Sequence, residues 1–186
     1  FDGNLNYMAK TQELYFTFSG IYTVTDSSFT RDREEVNFKD NFYFSPTSFA
    51  TLILTYQRNL ELGLDRRFQE GAGIGNKFIT TKNIYAWARG GIVFNQEKST
   101  EGEYSGLLTE FFGQLQFNLF KFNKPEINLN MAQAFYISLS EKGRYRNDGS
   151  TTLAWEMIKD LDLSLELYNN FDSKPPVSGS STFDFG

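Results

Sequence analysis

The side chains able to do chemistry in this 186-residue chain are charged ones: 18 Lys and Arg and 23 Asp and Glu, with no cysteine and no histidine. Without cysteine there is no disulfide framework, thiol nucleophile or thiolate metal site. Without histidine, neither a Ser-His nor an Asp-His pair can supply a general base. A carboxylate pair could substitute, but the acids are spread over separate segments, so no catalytic site is expected. What remains is a set of charges that share one parity along alternating segments: Lys39, Arg67, Lys77, Arg89, Arg144 and Arg146, beside Glu35, Glu110, Asp148, Glu156, Asp162 and Glu166. They could pair and fill an interior, or line a pore. Their mixed sign favours pairing over a selective conduit.

Two further clusters invite a ligand. Glu97, Glu101 and Glu103 could offer oxygens to a divalent cation, but a solvated loop is the expected reading, and no metal site or cofactor is expected. Gly71-Ala72-Gly73-Ile74-Gly75 resembles a nucleotide-binding turn, yet Asn76 stands where a third glycine belongs and no helical periodicity follows. Small inward residues making room for their neighbours are the expected explanation. The net charge of −5 and a pI near 4.9, with Lys and Arg scattered, leave no basic stripe for nucleic acid.

The elements that must position these charges are strands. In Leu161, Leu163, Leu165 and Leu167, alternating with Asp162, Ser164, Glu166 and Tyr168, strict period two marks one apolar and one polar face. About ten such segments follow one another with no helical segment between them. No apolar run approaches the ~18 residues of a membrane-spanning helix, so any span must be made of strands. Aromatics at 17%, within a mean hydropathy of −0.43, suit rings shown to lipid around a polar lumen. The fold expected is all-β: an antiparallel up-and-down transmembrane β-barrel forming a single domain over residues 1–186.

Short turns are expected around 46, 81, 122 and 160, the last a two-residue Lys159-Asp160 turn. Longer polar loops are expected around 30, 62, 100, 142 and 177, including charged loops over Asp26 to Glu34 and Glu97 to Tyr104 and an outer loop over Ser173 to Ser181. Phe1-Asp2-Gly3-Asn4 carries hairpin-turn chemistry and is neither a basic nor an apolar leader segment, so a signal peptide, if the gene has one, is already gone. Counting gives about eleven strands, the last truncated. Bacterial single-chain barrels have an even strand number, so twelve are expected, with the first absent and the last incomplete. Outer-face rings sort to two heights: Tyr22, Tyr56, Phe68, Phe94, Phe135 and Phe171 at one rim, and Phe16, Phe44, Phe78, Phe117 and Trp155 at the other.

Three stretches carry a resemblance: Asp65-Arg66-Arg67-Phe68 with Gly71 to Gly75, then Gly143-Arg144-Tyr145-Arg146, and finally Tyr168-Asn169-Asn170-Phe171-Asp172 with Ser173-Lys174-Pro175-Pro176. In strand order over most of the chain, the sequence resembles the bacterial outer-membrane barrel family catalogued as domain of unknown function 481, which includes salt-induced outer membrane proteins. The resemblance implies an outer-membrane barrel that begins with a strand leading into a Gly-Asn turn, for which Gly3-Asn4 is the counterpart here. It implies no catalytic residues.

The function expected is that of a non-enzymatic barrel in the outer membrane of a Gram-negative bacterium, a structural or accessory subunit of an envelope complex whose partners are lipid and other envelope proteins. A small-solute channel is the first alternative. A soluble ligand-binding β-barrel, with its apolar face inside, is the second. Asp40 shares the parity of Phe38 and Phe42 and so points toward lipid, where a charge costs up to ~4 kcal/mol depending on depth. Either a bulge turns it inward, or a partner covers it, with Asp40 and Gln133 marking a protein-protein face.

Overall fold

Period-two alternation builds an uninterrupted series of hairpins. The structure, a computed structural model, describes residues 1–25, 28–123, 125–158, 161–177 and 182–186. It contains β1 (Asp2–Met8), β2 (Gln12–Thr25), β3 (Ser28–Tyr43), β4 (Ser48–Asn59), β5 (Leu64–Thr80), β6 (Ile84–Ser99), β7 (Leu108–Lys121), β8 (Ile127–Ser138), β9 (Tyr145–Ile158), β10 (Leu161–Asp172) and β11 (Phe183–Phe185). Each strand pairs only with its neighbours in the chain, antiparallel, in one eleven-stranded sheet. Among the described residues there is no helix. The sheet forms an open half-barrel whose edges are β1 and β11.

The sidedness is the reverse of a water-soluble domain. Leu161, Leu163, Leu165 and Leu167 are each about half exposed on the convex face, as are Leu52, Leu54, Phe68, Phe111 and Leu115. Among the described residues, buried polar and charged side chains outnumber buried apolar ones about two to one. The apolar part of the interior is a small cluster of Ile53, Val93 and Phe112 with Tyr136 against it.

Most of the predicted turns fall where the sequence places them, between β3 and β4, β5 and β6, and β4 and β5. Three expectations are corrected. Phe1 to Asn4 is no hairpin turn: Asp2, Gly3 and Asn4 belong to β1 and pair with Ser19, Phe18 and Thr17. A Cβ at Gly3 would strike the Phe18 ring, so that glycine serves a cross-strand contact rather than a turn. The charged stretch before Val36 is no loop either, because β2 and β3 stay paired out to Thr25 and Ser28. Strand pairing uses backbone groups, which charged side chains leave free. For the same reason Glu97, expected to open a loop, lies within β6 opposite Arg67. The Lys159-Asp160 turn, Asp26-Ser27, Lys124 and Ser178 to Ser181 lie outside the described residues.

The glycines of β5 and β6 are places of close approach. A Cβ on Gly73 would meet the Gly90 carbonyl and come within 3.0 Å of the Phe112 ring; one on Gly75 would strike the Phe49 ring and lie 2.9 Å from Arg89 Cβ. Side chains from β4, β6 and β7 therefore lie across the bare inner surface of β5, as expected for room-making glycines. At Gly91 the obstruction is backbone, the Ala72 carbonyl oxygen, which cannot rotate away. Gly91→Ala is expected to destabilise the protein by about 1–3 kcal/mol, the usual cost of overpacking, whereas Gly106→Ala, in open space, should leave the urea unfolding midpoint within error of the parent.

Candidate functional site

The interior holds three tiers of polar side chains. The tier nearest the long loops is a closed ring of two arginines and two carboxylates. Arg67 on β5 donates through Nε to Glu97 Oε1 on β6 at 2.7 Å. Arg144, just before β9, donates through Nη2 to Glu97 Oε2 at 2.9 Å and to Asp172 Oδ2, at the end of β10, at 2.6 Å. Arg67 Nη2 completes the circuit to Asp172 Oδ2 at 3.4 Å. All four side chains are at most 3% exposed. Alternation of sign gives every charge two opposite neighbours, and Gln57 Oε1 accepts a further bond from Arg67 at 2.8 Å. Burial by itself would lower the Arg144 guanidinium, but Asp172 and Glu97 hold it above its ordinary value.

Beside the ring, Arg146 donates to Glu110 Oε2 at 2.5 Å, lies 4.4 Å from the centre of the Tyr136 ring, and is 3.9 Å from Asp148. Asn95 donates to the same Glu110 carboxylate. With its amide set to satisfy both neighbours, Asn170 donates to Asp148 at 2.7 Å and accepts from Arg33 at 2.9 Å. Asn59 donates to Asp184 at 2.8 Å, so β4 also reaches across to β11.

The middle tier is Arg89 and Lys39. Arg89 donates to Thr51 at 2.9 Å and to Gln114 at 2.9 Å, both neutral partners, and reaches Thr51 on β4 by crossing β5 over the glycines. The tier nearest the short turns is a carboxylate enclosed by donors. Glu13 accepts from Lys77 at 3.0 Å, from the Tyr15 hydroxyl at 2.9 Å and from the Tyr43 hydroxyl at 2.5 Å. Lys77 Nζ also lies 4.1 Å from the centre of the Tyr43 ring.

Between the tiers are two cavities, about 600 Å³ toward the long loops and about 280 Å³ toward the short turns. Of the charges that sequence parity places inside, Arg67, Arg144, Arg146 and Glu110 meet in the first tier and Lys77 closes the third. Glu35, Asp148 and Glu166 line the larger cavity. Glu35 accepts from Asn37 at 2.6 Å and lies 3.6 Å from Arg33. Glu156 sits at an inward register position opposite Asp162, whose side chain lies outside the described residues. Sequence reasoning missed Glu97 and Asp172, the two acids of the ring, and Glu13. Their parity is present in the sequence, but Glu97 and Asp172 stand where the sequence pattern passes from strand to expected loop. With Glu97 committed to two arginines, the supposed trio with Glu101 and Glu103 is dissolved, and no group of three metal-ligating side chains occurs among the described residues.

The two polar residues proposed for a partner face lie apart, Asp40 on β3 and Gln133 on β8. No bulge turns Asp40 inward: the ladder runs unshifted through Asp40 on both sides. Instead Gln12 donates to both its carboxylate oxygens at 3.1 Å, and Asp40 is buried beneath that cap. Gln133 belongs to a ring of three amides on the outer parity. Gln133 donates to Asn169 at 3.3 Å, Asn169 to Asn147, and Asn147 to Gln133 at 3.2 Å. Gly149 leaves the space they occupy, since a Cβ there would collide with Gln133 and Asn169.

The model of one family, described as "Protein of unknown function, DUF481", matches residues 1–185. No curated protein and no solved structure matches the chain.

Removing one member of a buried charge array strands its partners, at a cost of about 3–5 kcal/mol. Asp172→Asn should lower the unfolding free energy in urea by that amount. Lys174→Ala, which removes an exposed pair with Glu141 at 3.8 Å, should cost under about 1 kcal/mol.

Proposed function

The chain belongs to a family of unknown function, and from its geometry we propose a non-enzymatic β-barrel of the Gram-negative outer membrane, a structural or accessory subunit of an envelope complex with a lumen largely filled by paired polar side chains. The observation that carries this reading is the sidedness of the sheet. Leu52, Leu54, Ile74, Phe111, Leu115, Leu161, Leu163, Leu165 and Leu167 are each about half exposed or more, whereas soluble monomers rarely expose contiguous apolar patches above a few hundred Å². A lipid environment makes that exposure favourable rather than costly. A soluble ligand-binding barrel would need the opposite arrangement.

Several features agree with insertion in a bilayer. Strands β2 to β10 run 12 to 17 residues, longer than the ~9–11 needed to span, so their charged ends can stand in water. Phe44 and Phe78, near the short turns, and Phe68, Phe94 and Phe135, toward the long loops, are exposed and suit the two aromatic girdles. One more strand between the free edges of β1 and β11 would give twelve and leave no unpaired edge in hydrocarbon. The partners are lipid and other envelope proteins.

A channel for small solutes is the second reading, favoured by the two interior cavities. Against it stand the Arg67-Glu97-Arg144-Asp172 ring at one end and the Glu13-Lys77 pair with Tyr15 and Tyr43 at the other, which obstruct the route between them. The folded protein is expected to float with lipid vesicles in a density gradient and to migrate differently in detergent gels before and after heating. It should give no stepwise conductance in planar bilayers. Protein that stays at the bottom of the gradient while fully folded would sink the membrane reading; discrete conductance steps would replace the filled-lumen reading with the channel.

A further inference from the structure

Charge matching inside the lumen is complete in the two outer tiers and fails in the middle one. In the first tier Arg67, Arg144 and Arg146 are met by Glu97, Asp172 and Glu110; in the last, Lys77 is met by Glu13. Arg89 is held only by the neutral oxygens of Thr51 and Gln114. Lys39 makes no hydrogen bond or ion pair among the described residues. The acids that line the larger cavity are Asp2, Glu35, Asp148 and Glu166, and Asp2 forms no ion pair with Lys39 or Arg89 among the described residues. Glu35 is engaged by Asn37 and Arg33, Asp148 by Asn170 and Arg146, and Glu166 on β10 reaches neither cation within ion-pair distance.

Lys39 and Arg89 also occupy a special place. Among the described residues three side chains line both cavities, and they are Asn37, Lys39 and Arg89. Two cations with no carboxylate in ion-pair distance among the described residues, Glu35 being the acid whose charge bears on Lys39, therefore stand at the waist of the interior between the two cavities. Like charges in a poorly solvated site repel strongly and are relieved by a bound anion. Asn37, which lines both cavities, keeps a second amide hydrogen beside the one it gives Glu35, and Gln114 orients the guanidinium; an ammonium, a guanidinium and an amide N–H are donors that bind oxyanions by charge-assisted hydrogen bonds.

The geometry points to an anion-binding site at this waist, in which Lys39 and Arg89 hold one small oxyanion of the phosphate or carboxylate type between the two cavities. It rests on the interior of this chain and not on where the chain resides, so it can fail or succeed separately from the membrane reading.

Trp87 supplies the reporter, since the Arg89 guanidinium lies 5.3 Å from the centre of its ring. The chain has two tryptophans, and Trp155→Phe leaves Trp87 alone to be observed. That protein, folded in detergent as judged by heat-modifiable migration, is titrated with sodium phosphate and separately with sodium acetate at constant ionic strength set with sodium chloride. A saturable change in Trp87 fluorescence is expected. Lys39→Gln and Arg89→Gln, each in the Trp155→Phe background, should weaken it by at least about tenfold, the effect of losing one charge-assisted hydrogen bond. Lys39 has no bonded partner to strand, so its replacement should fold, and Arg89→Gln is the second variant should it not. Saturation by both anions means a site for small oxyanions generally; saturation by phosphate alone means a phosphoryl site. No saturable response to either anion, or a folded variant that binds like the parent, overturns the proposal.

Discussion

Taking a carboxylate or guanidinium out of water costs several kcal/mol per ion, and only opposite charge together with good hydrogen bonding recovers it. In this protein that requirement shapes the whole interior. Strands β5 and β10 are not neighbours in the sheet, so no backbone hydrogen bond joins them. What joins them is the ring in which Arg67 and Arg144 each contact both Glu97 and Asp172. Because each charge has two partners from different strands, the ring fixes the separation of the β5-β6 and β9-β10 walls. Arg33 over the Tyr168 ring at 4.7 Å and Asn59 on Asp184 repeat the same device between other strands.

Such a lumen can be narrow only where the backbone lets large side chains cross it. The inner surface of β5 is nearly bare from Gly71 to Gly75, and Phe49 and Arg89 from the adjoining strands and Phe112 from β7 lie over it. Arg89 thereby reaches Thr51, two strands away. The same glycines that resembled a phosphate-binding turn are thus a packing device, and the difference is local: a nucleotide loop needs a helix N-terminus after it, whereas here a strand continues to Thr80.

On the outer face the polar exceptions are closed upon themselves. Gln133, Asn147 and Asn169 each donate one amide hydrogen bond and accept one within their own ring, and Asp40 is bound by Gln12 at both oxygens. Each pairing lowers the cost of showing a polar group to an apolar medium. Residues that look like anomalies one strand at a time become partners once adjacent strands are in register.

Strand identity, strand order and sidedness were legible in the sequence, because alternation at period two is imposed by the pleat itself and needs no knowledge of neighbours. From Leu161 to Leu167, the parity of four leucines is enough to say which face they share, and the parity of Arg67, Arg144, Arg146 and Glu110 is enough to put them on the other. The ends of strands were less legible. Charged stretches such as Arg31 to Glu34 satisfy the backbone ladder as well as they satisfy a loop, and Gly3-Asn4 serves pairing as readily as turning. Pairing across the interior was beyond any reading of one strand. Glu97 faces Arg67 across the β5-β6 ladder, but Glu97 meets Arg144, and Asp172 meets Arg67, only after the sheet curls, over sequence separations that no local pattern encodes. Parity decides which side chains face the lumen; curvature and register decide which of them meet, and leave Lys39 and Arg89 without a carboxylate.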